Sequence, residues 1–489
     1  MPQQDNSTMP SDVEDDLTRS LPSVPDSRLP TQELISTRKS KETEQTAAPL
    51  KKKNPRWIFW LISMASATGG GFYGNFFSAF AARVGVTGAL MGFLTSIRNL
   101  LSSVFQGLVG RLSDVFGRKF LLLIGFTLCF GISLPLIFLE NTAILIVVAV
   151  IQALAISIII PTWNATLGDV TEVKGRSAFI GKITALGSIV SVCLTLIVAL
   201  VFYLADKVLY GRVIWGWEIA IPWRIQYSIA FTLSAMSYLL CILAVVLMQE
   251  TKLVTKKIGK RKKKQFQERP EVGQQIESPR LIVALKDKTF LKFLVVYSLF
   301  GFAMSTVWPL NPIIQIDILD MSFSSIAVLS ASFAITMSIS QIYGGKLGDR
   351  IGRRPLIIGG AFILVLYPAA IIPAIFTNAW PFLILANVLA GIAAGSFFVN
   401  LNAYALDLAP EIMMGAYSGL KEMAFGLMTF TGSLCAGFII DVLANRYGYQ
   451  VMALSMTSGI TILRFIAAFG FLLITESLPE KQKRVKQPK

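Results

Sequence analysis

Apolar residues come in runs of about 20 that recur from Trp57 almost to the C-terminus, separated by short stretches where Lys, Arg, Asp and Gly gather. A helix of that length crosses a hydrocarbon core about 30 Å thick, and in lipid it satisfies its own backbone donors and acceptors. The runs are apolar on all faces, whereas a soluble core helix keeps a polar side. They predict membrane-spanning helices over 57–81, 88–109, 120–138, 143–167, 178–204 and 225–248. A second set follows over 291–316, 325–344, 356–376, 380–406, 416–440 and 451–474. The expected fold class is an all-α integral membrane protein, with twelve transmembrane helices in two six-helix bundles.

The polar stretches divide the chain. Residues 1–55 are rich in Ser, Thr, Pro, Asp and Glu, cannot bury enough apolar surface to offset ordering, and read as a disordered tail without a signal peptide. Lys51, Lys52, Lys53 and Arg56 precede the first run and hold that tail in the cytoplasm by the positive-inside rule. The bundles are expected over 56–248 and 291–475, joined by a basic cytoplasmic linker over 249–290 and closed by a basic cytoplasmic tail over 476–489. Ser278 and the apolar residues Leu281, Ile282, Val283 and Leu285 suggest a capped amphipathic helix at that surface.

Composition agrees with lipid and narrows the chemistry. Charged residues make up 15% and hydrophobic ones 54%, where a soluble chain carries about a quarter charged. The net charge of +16 sits next to the ends of apolar runs, so it reads as a topology signal and nucleic acid is not an expected partner. Cys129, Cys193, Cys241 and Cys435 lie inside apolar runs, with neither disulfide nor metal-ligand spacing. There is no histidine, which removes the commonest proton shuttle. No nucleophile–base pair, metal cluster or phosphate loop is present, so neither an enzyme nor a cofactor is expected.

The two sets of runs repeat each other in charge as well as hydropathy. After the second run stands Gly110-Arg-Leu-Ser-Asp114-Val-Phe-Gly117-Arg118-Lys119, and after the eighth Gly345-Lys-Leu-Gly-Asp349-Arg-Ile-Gly352-Arg353-Arg354. Asn164-Ala-Thr-Leu-Gly-Asp169 likewise returns as Asn402-Ala-Tyr-Ala-Leu-Asp407 at nearly the same offset. With this loop motif after spans two and eight, the chain resembles the major facilitator superfamily over about 57–474. The resemblance implies a carrier working by alternating access, as a monomer in the plasma membrane. It also implies that the two loops latch the cytoplasmic side while the carrier faces outward. Physically, Asp114 suits the positive N-terminal end of helix eleven near Gly415, and Asp349 that of helix five near Gly175. Arg118 is expected to pair with Asp169, and Arg353 with Asp407. Val115 stands where a basic residue is usual, which weakens the first latch.

Polar residues inside the runs mark the candidate site. A central charge costs at least ~2.5 kcal/mol to insert, so Arg98 in span two is conspicuous. A cation there focuses an anionic solute; its other role is to bind backbone carbonyls and fix packing, and both readings stand. Arg464 is expected to pack or snorkel, and Lys182 and Lys421 to serve as gate or surface charges. Tyr73 and Asn75 on span one, Gln152 on span four, Trp308 and Asn311 on span seven, and Asn387 and Asn400 on span ten complete the expected lining. Span five lacks the proline-bearing motif of proton-driven drug exporters, reading Gly187-Ser-Ile-Val-Ser-Val-Cys193. Span seven lacks the glutamine cluster of sugar porters, although Gln249-Glu250-Thr251-Lys252 is similar to their string after span six. No midplane carboxylate marks proton coupling, which favours uniport or exchange. A small organic anion is the preferred solute, with export of hydrophobic or cationic compounds and a non-transporting sensor as the alternatives.

Overall fold

The computed structural model describes residues 55–170, 176–209, 213–214, 217–218, 222–250, 284–410 and 413–477, the side chains at 102, 106–115, 176–178 and 208–218 excepted. The expected tail up to residue 54 and most of the linker and final tail lie outside these residues, as does the predicted surface helix up to 283.

In chain order the helices are α1 (Arg56–Arg83), α2 (Gly88–Phe116), α3 (Arg118–Phe138), α4 (Thr142–Val170), α5 (Arg176–Leu209) and α6 (Trp223–Leu247). Then come α7 (Lys288–Ser305), α8 (Phe323–Ile351), α9 (Arg353–Thr377), α10 (Pro381–Leu408), α11 (Met414–Tyr447) and α12 (Tyr449–Phe469). The only strands among the described residues are Val213–Ile214 and Trp217–Glu218, a two-residue antiparallel ladder between α5 and α6. Ten helices among the described residues, α3 to α12, are long and apolar enough to cross a membrane. Helices α1 and α2 carry Asn75, Arg98 and several of the glycines that packing and the cavity require.

Helix α1 packs on α5 and α6, α2 on α4, and α3 on α4 and α6. Among the later helices, α7 packs on α11 and α12, α8 on α10, and α9 on α10 and α12. The early and late sets meet chiefly where α2 lies on α11 and α5 on α8. Glycine makes the α2–α11 seam possible: a Cβ on Gly88 would stand 2.7 Å from the Gly437 carbonyl, and one on Gly426 3.0 Å from that of Asn99. Without a hydrophobic drive between helices in lipid, such close backbone approach is what holds them. Ser433 adds polar contacts, donating to Gly92 O at 3.0 Å and meeting Thr95 at 3.0 Å.

Helix α7 is discontinuous. After Ser305 the chain turns through Thr306, Val307, Trp308 and Pro309, resumes helix over Leu310–Ile313 and widens to a π-turn over Ile314–Ile318. Pro309 and Pro312 have no N–H to donate, so the ladder cannot run through them.

Candidate functional site

At the loop motif each helix start is built the same way twice. Gly117 and Gly352 adopt φ of +94° and +108°, conformations that side chains rarely tolerate, and so reverse the chain between α2 and α3 and between α8 and α9. Glu250 then accepts from Arg118 N at 3.0 Å and Lys119 N at 3.1 Å, capping α3. Glu476 does the same for α9, accepting from Arg353 N at 3.0 Å and Arg354 N at 3.3 Å. A Cβ on Gly352 would lie 2.8 Å from the Glu476 carboxyl carbon, so glycine also makes room for the cap. A carboxylate on free N–H groups at a helix start contributes about 0.5–2 kcal/mol.

The arginines complete the brace. Arg118 Nε meets Asp169 at 2.8 Å, and Arg353 meets Asp407 at 3.5 Å, the pairings expected from the sequence. Asp349 pairs with Arg353, four residues on and across the Gly352 reversal, at 2.8 Å. The expected partner of Asp349, the start of α5 near Gly175, lies outside the described residues. The Asp114 side chain also lies outside them. Asn400, an expected cavity residue, belongs to this brace: it is fully buried, donates to Gly344 O and Ser396 O, and lies 3.5 Å from Arg353. Asn387 donates to Leu383 O on its own helix and does not line the cavity. Both asparagines satisfy donors locally, which a membrane interior rewards and a sequence pattern does not reveal.

Deeper in the molecule, six of the eight expected lining residues come together. Tyr73, Asn75, Arg98, Gln152, Trp308 and Asn311 line one cavity of about 280 Å³, with Phe77, Thr95 and Gln315. That is the small end of the range for ligand pockets. Tyr73 stacks on Phe77 with ring centroids 4.7 Å apart, forming an aromatic wall. Gln152 is buried next to the Tyr238 hydroxyl, and its amide oxygen accepts no hydrogen bond. Asn311 donates to the Tyr367 hydroxyl at 2.8 Å. Arg98 is exposed, and its guanidinium makes no ion pair with any described carboxylate. A wider groove of about 540 Å³ between α3 and α4 is lined almost wholly by aliphatic side chains and offers little to orient a polar solute.

For two other basic residues the structure separates the alternatives that the sequence left open. Lys421 is 2% exposed, paired with Glu422 at 2.8 Å and bonded to Asn402, with Tyr297 beneath it; it is no surface charge. Arg464 packs fully inside the protein and does not snorkel.

Sequence reasoning missed a second cluster, at the opposite end of the helices from the motif. Asp441 on α11 accepts from Gly88 N at 2.5 Å and Ala89 N at 2.9 Å at the start of α2. Arg83 at the end of α1 pairs with Asp320 at 2.9 Å and donates to Met321 O at 3.0 Å. Phe76 stacks on Phe323 at 4.0 Å, and Ser324 donates to Ala199 O at 2.8 Å. All of these join the early set of helices to the late one. A signal existed: Asp441 stands as far from Asp206 as Asp349 does from Asp114.

The family model described as Major Facilitator Superfamily matches residues 59–305 and 293–489. The chain belongs to the Major Facilitator Superfamily and is a multi-pass membrane protein. Among curated relatives, Multidrug resistance protein D of Escherichia coli is 24% identical over 143 residues, 29% of this chain and 35% of that protein. The Gentisate transporter of Corynebacterium glutamicum is 25% identical over 163 residues, 33% of each chain. The match thus spans about a third of these relatives' length. Among solved structures, the nucleoside transporter NupG superposes with a TM-score of 0.61 at 14% identity, covering 85% of this chain and 99% of that one. A D-xylose-proton symporter gives 0.58 at 14%, covering 86% and 96%. At such identity these two speak for the fold alone.

Proposed function

We propose that the protein is a transmembrane carrier of a small organic solute, preferably an anion, that works by alternating access at the cavity between α1, α2, α4 and α7. The observation that carries the anion preference is Arg98, a cation on the cavity with no carboxylate paired to it among the described residues. A guanidinium in that setting gains from a carboxylate or phosphate that supplies its missing partner. Gln152 supports a solute that also donates a hydrogen bond, since its buried oxygen has none to accept. Tyr73, Phe77 and Trp308 suit a planar organic body. The two six-helix bundles would rock about this site, and the conformation seen is held shut at the end of Arg83 and Asp441. With the termini and the loop motif in the cytoplasm, that is an inward-facing carrier. In the outward-facing state Asp349, half-exposed here, turns to the start of α5 as a latch. The plasma membrane is the proposed location and the monomer the proposed unit.

A second reading is export of hydrophobic or cationic compounds. It is favoured by the aromatic wall and by relatives named for multidrug resistance, among them Multidrug resistance protein 2 of Bacillus subtilis, 24% identical over 210 residues. The Gentisate transporter, whose named substrate is a carboxylate, favours the first.

Thermal unfolding of detergent-purified protein with benzoate, benzamide and benzylamine separates the readings, because the probes share a ring and differ in charge. A solute that binds only the folded protein adds about 2.7 kcal/mol at a hundred times its dissociation constant. Stabilisation by benzoate in the wild type and its loss in Arg98→Ala is the expected result. Stabilisation by benzylamine alone, equal in both proteins, would replace the anion reading with the export one.

A further inference from the structure

Arg464 carries a full charge in the middle of α12 at 2% exposure, and no carboxylate approaches it among the described residues. Its partners are three carbonyls: Nη2 donates to Met304 O at 2.5 Å, Nη1 to Leu364 O at 3.2 Å and Nε to Ala303 O at 3.4 Å. The choice of carbonyls is informative. In an unbroken helix Leu364 O would accept from residue 368, but that residue is Pro368, which has no N–H. Met304 O would accept from Trp308 N, but in the α7 turn that N–H goes to Ser305 O at 3.0 Å. One guanidinium therefore serves carbonyls left free by the break in α7 and by the missing Pro368 N–H within α9. Only arginine presents enough donors in a fixed fork to do so; the ammonium of lysine is compact and cannot span them.

The α7 break faces the cavity. Trp308 lies in the α7 turn and Asn311 just beyond it, and both line the cavity. The face of Tyr367, next to Pro368, lies 5.9 Å from the Arg464 guanidinium. The hydroxyl of the same tyrosine accepts the Asn311 amide at 2.8 Å. A continuous chain of contacts thus runs from Arg464 through Tyr367 to a cavity-lining amide.

We propose that Arg464 is a positioning residue for solute recognition. It pins the break of α7 against the Pro368 gap in the α9 hydrogen-bond ladder, so that Trp308 and Asn311 are presented to the cavity in one fixed arrangement. It touches no solute. The inference rests on the cavity being the solute site, but the strut itself can be read without any solute.

The test combines hydrogen–deuterium exchange of the purified protein with the benzoate thermal-shift titration. In Arg464→Lys, amides over 306–313 are expected to exchange about tenfold faster, with the rest of α7 unchanged, because local opening is what exchange reports. Tyr367→Phe keeps the ring under the guanidinium and removes only the hydroxyl, so it guards against a lysine variant that fails to fold. Its expected signature is unfolding within about two degrees of wild type, about threefold faster exchange over 308–313, and benzoate affinity reduced about fivefold, as for loss of one hydrogen bond. Wild-type exchange over 306–313 in a folded Arg464→Lys, or over 308–313 in Tyr367→Phe, overturns the proposal. So does unchanged benzoate affinity in Tyr367→Phe. If benzoate fails to bind the wild type while exchange responds as expected, the strut stands and the anion reading falls instead.

Discussion

The two ends of the helices use the same chemistry for opposite purposes. At the motif end, Glu250 and Glu476 sit on helix starts, and Arg118 and Arg353 on carboxylates, all within their own set of six helices. At the far end, Asp441 sits on the start of α2 and Arg83 on Asp320, each reaching from one set to the other. A carboxylate on a helix start is therefore a brace in one place and a clasp in the other. What differs is only which helix supplies the acid. A brace has to survive every conformation of a carrier, whereas a clasp has to break in one of them. That contrast predicts which substitutions damage the fold and which merely redistribute its states.

The largest effect should come from a brace. Asp169→Ala removes the carboxylate that Arg118, 7% exposed, meets at 2.8 Å. Losing a hydrogen bond between charged groups costs about 1.5–3 kcal/mol. The expected outcome is a clear fall in unfolding temperature in detergent, with the balance between conformations unchanged as read by cysteine labelling at both ends. A normal unfolding temperature with altered labelling would reverse the assignment and make Asp169 part of a clasp.

Next comes the clasp. Asp441→Ala strips the cap from Gly88 N and Ala89 N across the α2–α11 seam, an interaction worth about 0.5–2 kcal/mol. Here the cost falls on one conformation, so the expected result is a shift of about two- to thirtyfold toward opening at the far end. A single cysteine at Ser322 should be labelled faster by a membrane-impermeant maleimide, with little change in unfolding temperature. Equal labelling would mean that the glycine seam alone keeps that end shut.

The braces were legible in the sequence and the clasps were not, for a physical reason. Each brace is local to one repeat, so Gly117, Arg118 and Asp169 recur as Gly352, Arg353 and Asp407, and recurrence is visible. Glu250 and Glu476 belong to the same repeat, in the strings Gln249-Glu250-Thr251 and Thr475-Glu476-Ser477, and a comparison of the span ends would have found them. A clasp joins unlike partners and is free to differ between repeats. Asp441 caps α2, whereas the start of α8 is capped by its own Ser322, which accepts from Ser325 N at 3.2 Å. The cavity was legible to the extent that a cation or aromatic ring in a lipid-length run has few places to go, as with Arg98 and Trp308. Asn387 and Asn400 fall outside the cavity lining because a buried asparagine is content with a carbonyl on its own or a neighbouring helix.

The smallest effect sharpens the comparison most. Arg83 has two far-end partners, the Asp320 carboxylate and the Met321 carbonyl, and the carboxylate is 84% exposed. So exposed an ion pair adds little against water and salt, whereas the carbonyl contact is partly buried. Asp320→Asn should therefore barely change labelling at Ser322, by less than about twofold, and what change there is should vanish in high salt. Arg83→Ala removes both contacts and should increase labelling more, by a salt-independent part that belongs to Met321 O. If Asp320→Asn instead opens the far end as widely as Arg83→Ala, the ion pair is the working part of the clasp. Exposure would then be a poor guide to its strength, and the division between brace and clasp would have to be drawn by charge alone rather than by which helices a contact joins.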